Sequence, residues 1–185
     1  MNITILIIAV VLVLVVLGAI LGLIFAFRQR SKRYSDKFGP EYDRTVKAAG
    51  NKKKAQTELD DRQKHIETLN IRSLSDGERQ RYLAAWAGVQ AKFVDQPAQA
   101  TVEADHLIME VMQMRDYPVS DFEQRAADIS VSYPTLVSNY RAAREIAIKN
   151  EHHQADTEEL RQAMIYYRSL FDELLKADTV KPEKK

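Results

Sequence analysis

The sequence predicts an all-α chain: an N-terminal transmembrane helix, then a stalk helix and a small antiparallel helical bundle. Three observations carry that expectation. Residues 3–27 are an unbroken apolar run in which Thr4 is the only polar side chain. The rest of the chain repeats apolar residues at helical spacing behind Ser-x-x-Glu capping signals. No segment alternates with period two for long, and no Asn-Gly turn separates β-branched runs.

The apolar run comes first. About 25 residues at about 1.5 Å each rise roughly 37 Å, enough to cross a hydrocarbon core of about 30 Å. A cleaved signal peptide would have a basic start, a shorter apolar core and a small-residue cleavage site. This run has none of these, and ends in Phe25-Ala26-Phe27 before a basic cluster. Arg28, Arg30, Lys32 and Arg33 place the following domain on the cytoplasmic side by the positive-inside rule. They can also rest on anionic headgroups. Gly18 and Gly22 form a G-x-x-x-G on one face, a possible homodimer contact within the bilayer.

Residues 1–33 are thus read as anchor and basic flank, 34–72 as a juxtamembrane stalk, 73–176 as the bundle and 177–185 as a disordered charged tail. In the stalk, Ser31 to Gly39 is a short polar link and Pro40 suits a first helical turn. Tyr42, Val46 and Ala49 share one face, Ala55, Leu59 and Ile66 another, and Gly50-Asn51 between them marks a break.

Ser75 to Glu78 is a capping box for a helix with Tyr82, Trp86, Val89 and Phe93 on one face, flanked by Leu83 and Val94. Pro97 opens the next, with Ala100, Ala104, Leu107, Ile108, Val111, Met112 and Met114 buried and Glu103, His106, Glu110 and Gln113 wet. Ser120 to Glu123 reads as a second box, for a short helix to about Ile129. Ser132 and Pro134 begin a longer helix lined by Tyr133, Leu136, Val137, Tyr140, Ala143 and Ala147. After a polar turn at residues 150–154, Asp156 and Glu159 cap a last helix whose stripe runs from Leu160 through Ala163, Met164, Tyr167, Leu170, Phe171 and Leu174 to Leu175.

Charge and composition bound the function. The chain has 27 Lys plus Arg and 26 Asp plus Glu; with the four flanking basic residues set aside, the remainder is 23 against 26, a net of −3. That balance is unsuited to nucleic acid, which needs clustered positive charge. Without cysteine the chain has no disulfide, thiolate ligand or Cys nucleophile. Glu103-x-x-His106 is the step used by helical di-iron sites, but no second Glu-x-x-His exists, and His65, His152 and His153 have no Glu three residues earlier. Asp60-Asp61 and Glu158-Glu159 read as charged helix positions. Neither a phosphate-binding loop nor a nucleophile elbow is present. No catalytic, cofactor-binding or metal residue is therefore assigned.

Four stretches, FGPEYDR (38–44), YPVSDFEQRAADIS (117–130), NYRAA (139–143) and YYRSLFDELL (166–175), resemble a family of uncharacterised bacterial single-pass membrane proteins. The likeness covers most of residues 34–175. It implies a bacterial inner membrane and brings no functional residue, and it implies Gly where this chain has Asp116. From the residues themselves, Phe38, Tyr42 and Arg44 are candidates to fix the stalk, and Asp121, Glu123, Arg125 and Asp128 form either an ion-pair network or a partner surface.

The expected function is that of a membrane-tethered, non-enzymatic helical interaction domain with an unknown protein partner. The alternative is a lipid- or small-molecule-binding bundle using the Trp86 and Tyr140 faces. An enzyme would need acids and histidines gathered in one cleft.

Overall fold

The computed structural model describes residues 3–176, which form eight helices and no strand. These are α1 (Ile3–Phe38), α2 (Pro40–Ala49), α3 (Lys52–Thr68), α4 (Asp76–Phe93), α5 (Pro97–Met114), α6 (Phe122–Ser132), α7 (Val137–Glu151) and α8 (Thr157–Lys176). The chain is all-α, as expected; the tail expected at 177–185 lies outside the described residues. It divides into two compact units, Met1–Gln56 and Thr57–Lys185, with the division inside α3.

In the first unit, α1 is long and apolar enough to cross a membrane, and its side chains from Leu14 to Phe27 are exposed. It does not stop at the basic cluster. The basic flank at 28–33 and the polar link expected from Ser31 to Gly39 continue the helix as far as Phe38, because no Gly or Pro interrupts them before Gly39. There φ turns to +51°, a value that glycine adopts without a Cβ clash, and Pro40 opens α2. The Tyr34 ring lies 6.2 Å from Phe38 and 6.1 Å from Tyr42, and the Ser31 and Tyr42 hydroxyls are 2.8 Å apart. These contacts fix α2 against α1. The buried residues of α2 are Glu41, Tyr42 and Thr45, while Val46 and Ala49, which share the Tyr42 face, are half-buried. The expected break is present: Gly50 at φ +74° closes α2, and Asn51 Oδ1 accepts the Lys54 N–H at 2.8 Å to start α3.

In the second unit, α5 packs against α4, α7 and α8, and α7 against α8. Trp86, Ile108, Val111, Met112, Tyr140, Tyr167, Leu170 and Phe171 fill the centre, each at most 1% exposed. The capping box at Ser75 and Glu78 is complete in both directions. Asp156 and Glu159 make the same reciprocal pair for α8, and the whole predicted α8 stripe is buried.

Several local expectations are corrected. Leu83 and Val94 do not flank the buried α4 stripe; they are 43% and 81% exposed, Val94 lying past the last turn. The α6 cap is Asp121, which accepts the Gln124 N–H at 3.0 Å, and not Ser120. Helix α6 runs on to Ser132, and α7 starts at Val137 instead of Ser132. The cause is Pro134, which keeps the residue before it out of the α region: Tyr133 sits at φ −135°, ψ 62°. Asp116 adopts φ +63°, so the turn has the left-handed backbone that suits the expected glycine, although the residue is Asp.

Candidate functional site

Helix α5 turns one ionisable side chain inward. Asp105 stands three and seven residues before Ile108 and Met112, on the buried arc, and is only 6% exposed. Three other helices bring polar groups towards it: Arg125 from α6, Tyr140 and Arg144 from α7, and Tyr167 from α8. Arg125 Nε donates to Tyr140 Oη at 3.3 Å and its Nη1 to the Ser120 carbonyl at 2.6 Å. The Tyr140 and Tyr167 rings meet edge to face at 6.2 Å.

The seam is incompletely satisfied. Tyr167 lies near the Asp105 carboxyl, yet neither Asp105 Oδ1 nor Tyr167 Oη completes a hydrogen bond. Burial pushes the Asp105 carboxyl above the usual carboxylate range, against the opposing pull of Arg125 and Arg144. Burial also raises both phenols, with the nearby Asp105 adding to the effect. Burial without a full set of partners is costly in a low dielectric.

On its outer side the seam meets Phe122. Its ring packs on Tyr140 at 5.0 Å and carries three guanidiniums, those of Arg125 and Arg144 at 5.9 Å and of Arg141 at 6.0 Å. Arg141 pairs with Glu123 at 2.8 Å and Arg144 with Glu151 at 3.3 Å. The α6 charges therefore do not pair with one another. Asp121 caps, Glu123 and Arg125 reach α7, and Asp128 accepts from Gln124 at 2.8 Å with His65 of α3 at 3.8 Å. Asp128 is fully buried, which raises its pKa, and its Oδ2 has no hydrogen-bond partner.

A surface cleft of about 410 Å³ lies elsewhere, lined by Arg72, Arg81, Tyr82, Glu110, Gln113, Met114 and Asp116. Arg72 grips Glu78 through two bonds of 3.0 and 2.8 Å, which hold that carboxyl down at about 2.

The structure disperses the residues that the sequence brought up for metal or catalysis. Glu103 binds Lys92 at 2.5 Å, and His106 is exposed. His152 and His153 follow the end of α7, His65 faces Asp128, Asp61 pairs with Lys64, and Glu158 pairs with Arg161. Among the described residues no group of three His, Asp or Glu side chains gathers as a metal-ligand set. The two faces considered for a ligand pocket are filled by neighbours: Trp86 stacks on Phe171 at 4.7 Å, and Tyr140 lies between Phe122 and Tyr167. Sequence reasoning missed the inward Asp105, whose spacing to Ile108 and Met112 was the available signal.

Compared with family models, with curated proteins and with solved structures, the chain matches none.

Proposed function

We propose that the chain is a membrane-tethered, non-enzymatic helical bundle that recruits or organises other proteins at the cytoplasmic face of a bacterial inner membrane. It would thereby belong with the single-pass family that its FGPEYDR and DFEQRAADIS segments resemble. The observation that carries this reading is a contrast between two surfaces. The large aromatic faces of the bundle are spent on one another, whereas the ion pairs Arg141–Glu123 and Arg144–Glu151 line the outer side of α6 and α7 with their carboxylates exposed. A closed core with a charged exterior suits protein contact better than enclosure of an apolar ligand.

Arg28, Arg30, Lys32 and Arg33 support the cytoplasmic orientation, and anionic lipid is their proposed neighbour. If two copies pair in the bilayer, Gly18 and Gly22 are the proposed contact. A Cβ added at either meets nothing within 4 Å, so their faces stand open to close approach.

The test combines topology with capture. A reporter active only in the cytoplasm, fused after Lys185, should be active, and a photo-crosslinker carried by the bundle should trap protein in intact cells. A periplasmic signal overturns the orientation and the recruitment reading together.

A further inference from the structure

Tyr42 ties the start of α3 back onto α1. Its hydroxyl lies 2.8 Å from the Ser31 hydroxyl and accepts the Gln56 side-chain N–H at 3.4 Å. Tyr42 and Gln56 are 3% and 6% exposed, so this bridge is packed and not a surface contact. Ser31 stands four residues past Phe27, where the apolar run ends, a rise of roughly 6 Å. The first turn of α3 is thereby held level with the basic flank of the span. Lys52, Lys53 and Lys54 make up that turn, and Lys52 shares a helix face with Ala55 and Gln56. All three lysines are exposed, as are Arg28, Arg30, Lys32 and Arg33. Residues 28–35 and 52–57 together carry seven basic side chains and no acid. Acids begin only at Asp36 on α1 and Glu58 on α3, and Glu41, buried at the turn into α2, has Arg44 at 3.9 Å.

We propose that Lys52, Lys53 and Lys54 join the Arg28–Arg33 flank in one binding surface for anionic phospholipid headgroups, assembled by the Tyr42 bridge. The proposal rests on the anchored reading of α1 given above and adds to it a second set of contacts, distant in sequence. Distance decides whether the lysines take part. A straight helical continuation from Arg33 would carry Lys52 roughly 28 Å farther along the axis. Attraction to an anionic leaflet fades over about 10 Å, so lysines placed there would be screened from it. The fold-back at Gly39 and the bridge to Ser31 bring them within that range. A cation on a flexible stem then reaches a phosphodiester while its methylenes lie along the apolar boundary.

The chain has no cysteine, so Ala48→Cys, exposed on α2, takes a single donor dye. The full chain is placed in phosphatidylcholine vesicles holding a trace of acceptor-labelled lipid, either phosphatidylglycerol or phosphatidylcholine, with the dye on the acyl chain. Energy transfer should be greater to phosphatidylglycerol, and the excess should shrink as salt rises. Lys52→Gln with Lys54→Gln should lower that excess about twofold or more, although the flank from Arg28 to Arg33 is intact. Lys52→Arg with Lys54→Arg, which keeps both charges, should retain it. An excess unchanged by the Gln pair overturns the proposal, and so does one lost equally in the Arg pair. Loss of the excess on adding inorganic phosphate, with ionic strength matched by chloride, would assign the surface to free phosphate and also overturns it. Circular dichroism identifies a variant that fails to fold. If the Gln pair fails, Lys54→Gln alone takes its place, with a smaller loss expected and no loss counting against the proposal. A cytoplasmic reporter together with no effect of the Gln pair would end this inference and leave the orientation standing. A periplasmic reporter with that effect intact would overturn the orientation and leave the lipid contact standing.

Discussion

The buried guanidinium of Arg115 donates to the backbone carbonyl of Leu174 at 3.0 Å, tying the end of α5 to the last turn of α8. The same side chain donates to the Arg72 carbonyl at 3.1 Å and the Tyr133 hydroxyl at 3.0 Å, so one residue fastens three separate segments. Carbonyls in the last turn of a helix lack partners within it, and a cation there also opposes the negative end of the dipole. Arg115→Ala is expected to cost about 2–4 kcal/mol, the scale of charged hydrogen bonds lost with their acceptors left buried. Arg115→Lys should recover only part, since an ammonium lacks the fork. Urea denaturation of residues 35–176 measures both, and a loss under about 0.5 kcal/mol would mean that water replaces the clamp.

Trp86 is 1% exposed, stacked on Phe171 at 4.7 Å with the Arg168 guanidinium 5.4 Å from its ring centre. Trp86→Ala should cost about 3–5 kcal/mol through lost burial and the cavity left behind. Trp86→Phe should cost less than half as much. It keeps a ring against Phe171 and removes an indole N–H that is buried without a partner. Equal losses for the two substitutions would show that the N–H contributes to stability after all.

These two residues mark what the sequence made legible. Trp86 lay on a helical-period stripe behind a capping box, and such local signals located α4, α5 and α8 well. Arg115 gave no local signal, because its partners lie 43, 18 and 59 residues away. Asp105 was missed although its spacing to Ile108 and Met112 put it on the buried arc; Arg125 was named, but its partners on Ser120 and Tyr140 were not legible. The cap of α6 was misplaced by one residue because two echoes overlap there, Ser120 with Glu123 and Asp121 with Gln124. The helical run from Arg28 to Phe38 has no apolar period to announce it, and only the absence of a breaker before Gly39 lets it continue.

Asp116 holds φ +63°, a left-handed conformation that disfavours side chains bearing a Cβ, though Asp tolerates it better than most. Its ion pair with Arg72, 3.9 Å long with the Asp116 side chain 59% exposed, offsets little of that. Asp116→Gly should leave stability unchanged or raise it by up to about 1 kcal/mol, relief of strain outweighing the added freedom of the unfolded chain. Asp116→Val should destabilise by more than 1 kcal/mol, on the order of the strain for a β-branched residue there. A marked loss with Gly would show that the Asp side chain, not the backbone, holds this turn.

Asp105 and Glu78 give opposite pH dependences, and that opposition makes the last prediction sharp. The folded chain raises the Asp105 pKa from 3.8, chiefly by burial, and so binds that proton more tightly than the unfolded chain does. Its contribution favours folding fully below 3.8 and is lost as pH rises through the higher folded-state value. At pH 7, well above the unfolded value, the raised pKa therefore works against stability. Asp105→Asn keeps the shape without the charge and should stabilise the domain there by about 1–3 kcal/mol, the scale of a buried group left unsatisfied. The difference should shrink towards pH 3. Glu78 runs the other way. Its pKa falls from 4.5 to about 2, first because Arg72 bonds to it and then because it caps Ser75, so its contribution is present above 4.5 and lost as pH falls towards 2. Glu78→Gln should lower the melting temperature at pH 7 and converge on the unmodified domain near pH 2. Thermal melts of the three proteins between pH 2 and pH 8 separate the two limbs. A less stable Asp105→Asn at pH 7 would mean that the carboxylate is needed in its charged form opposite Arg125 and Arg144, and would reverse the assignment.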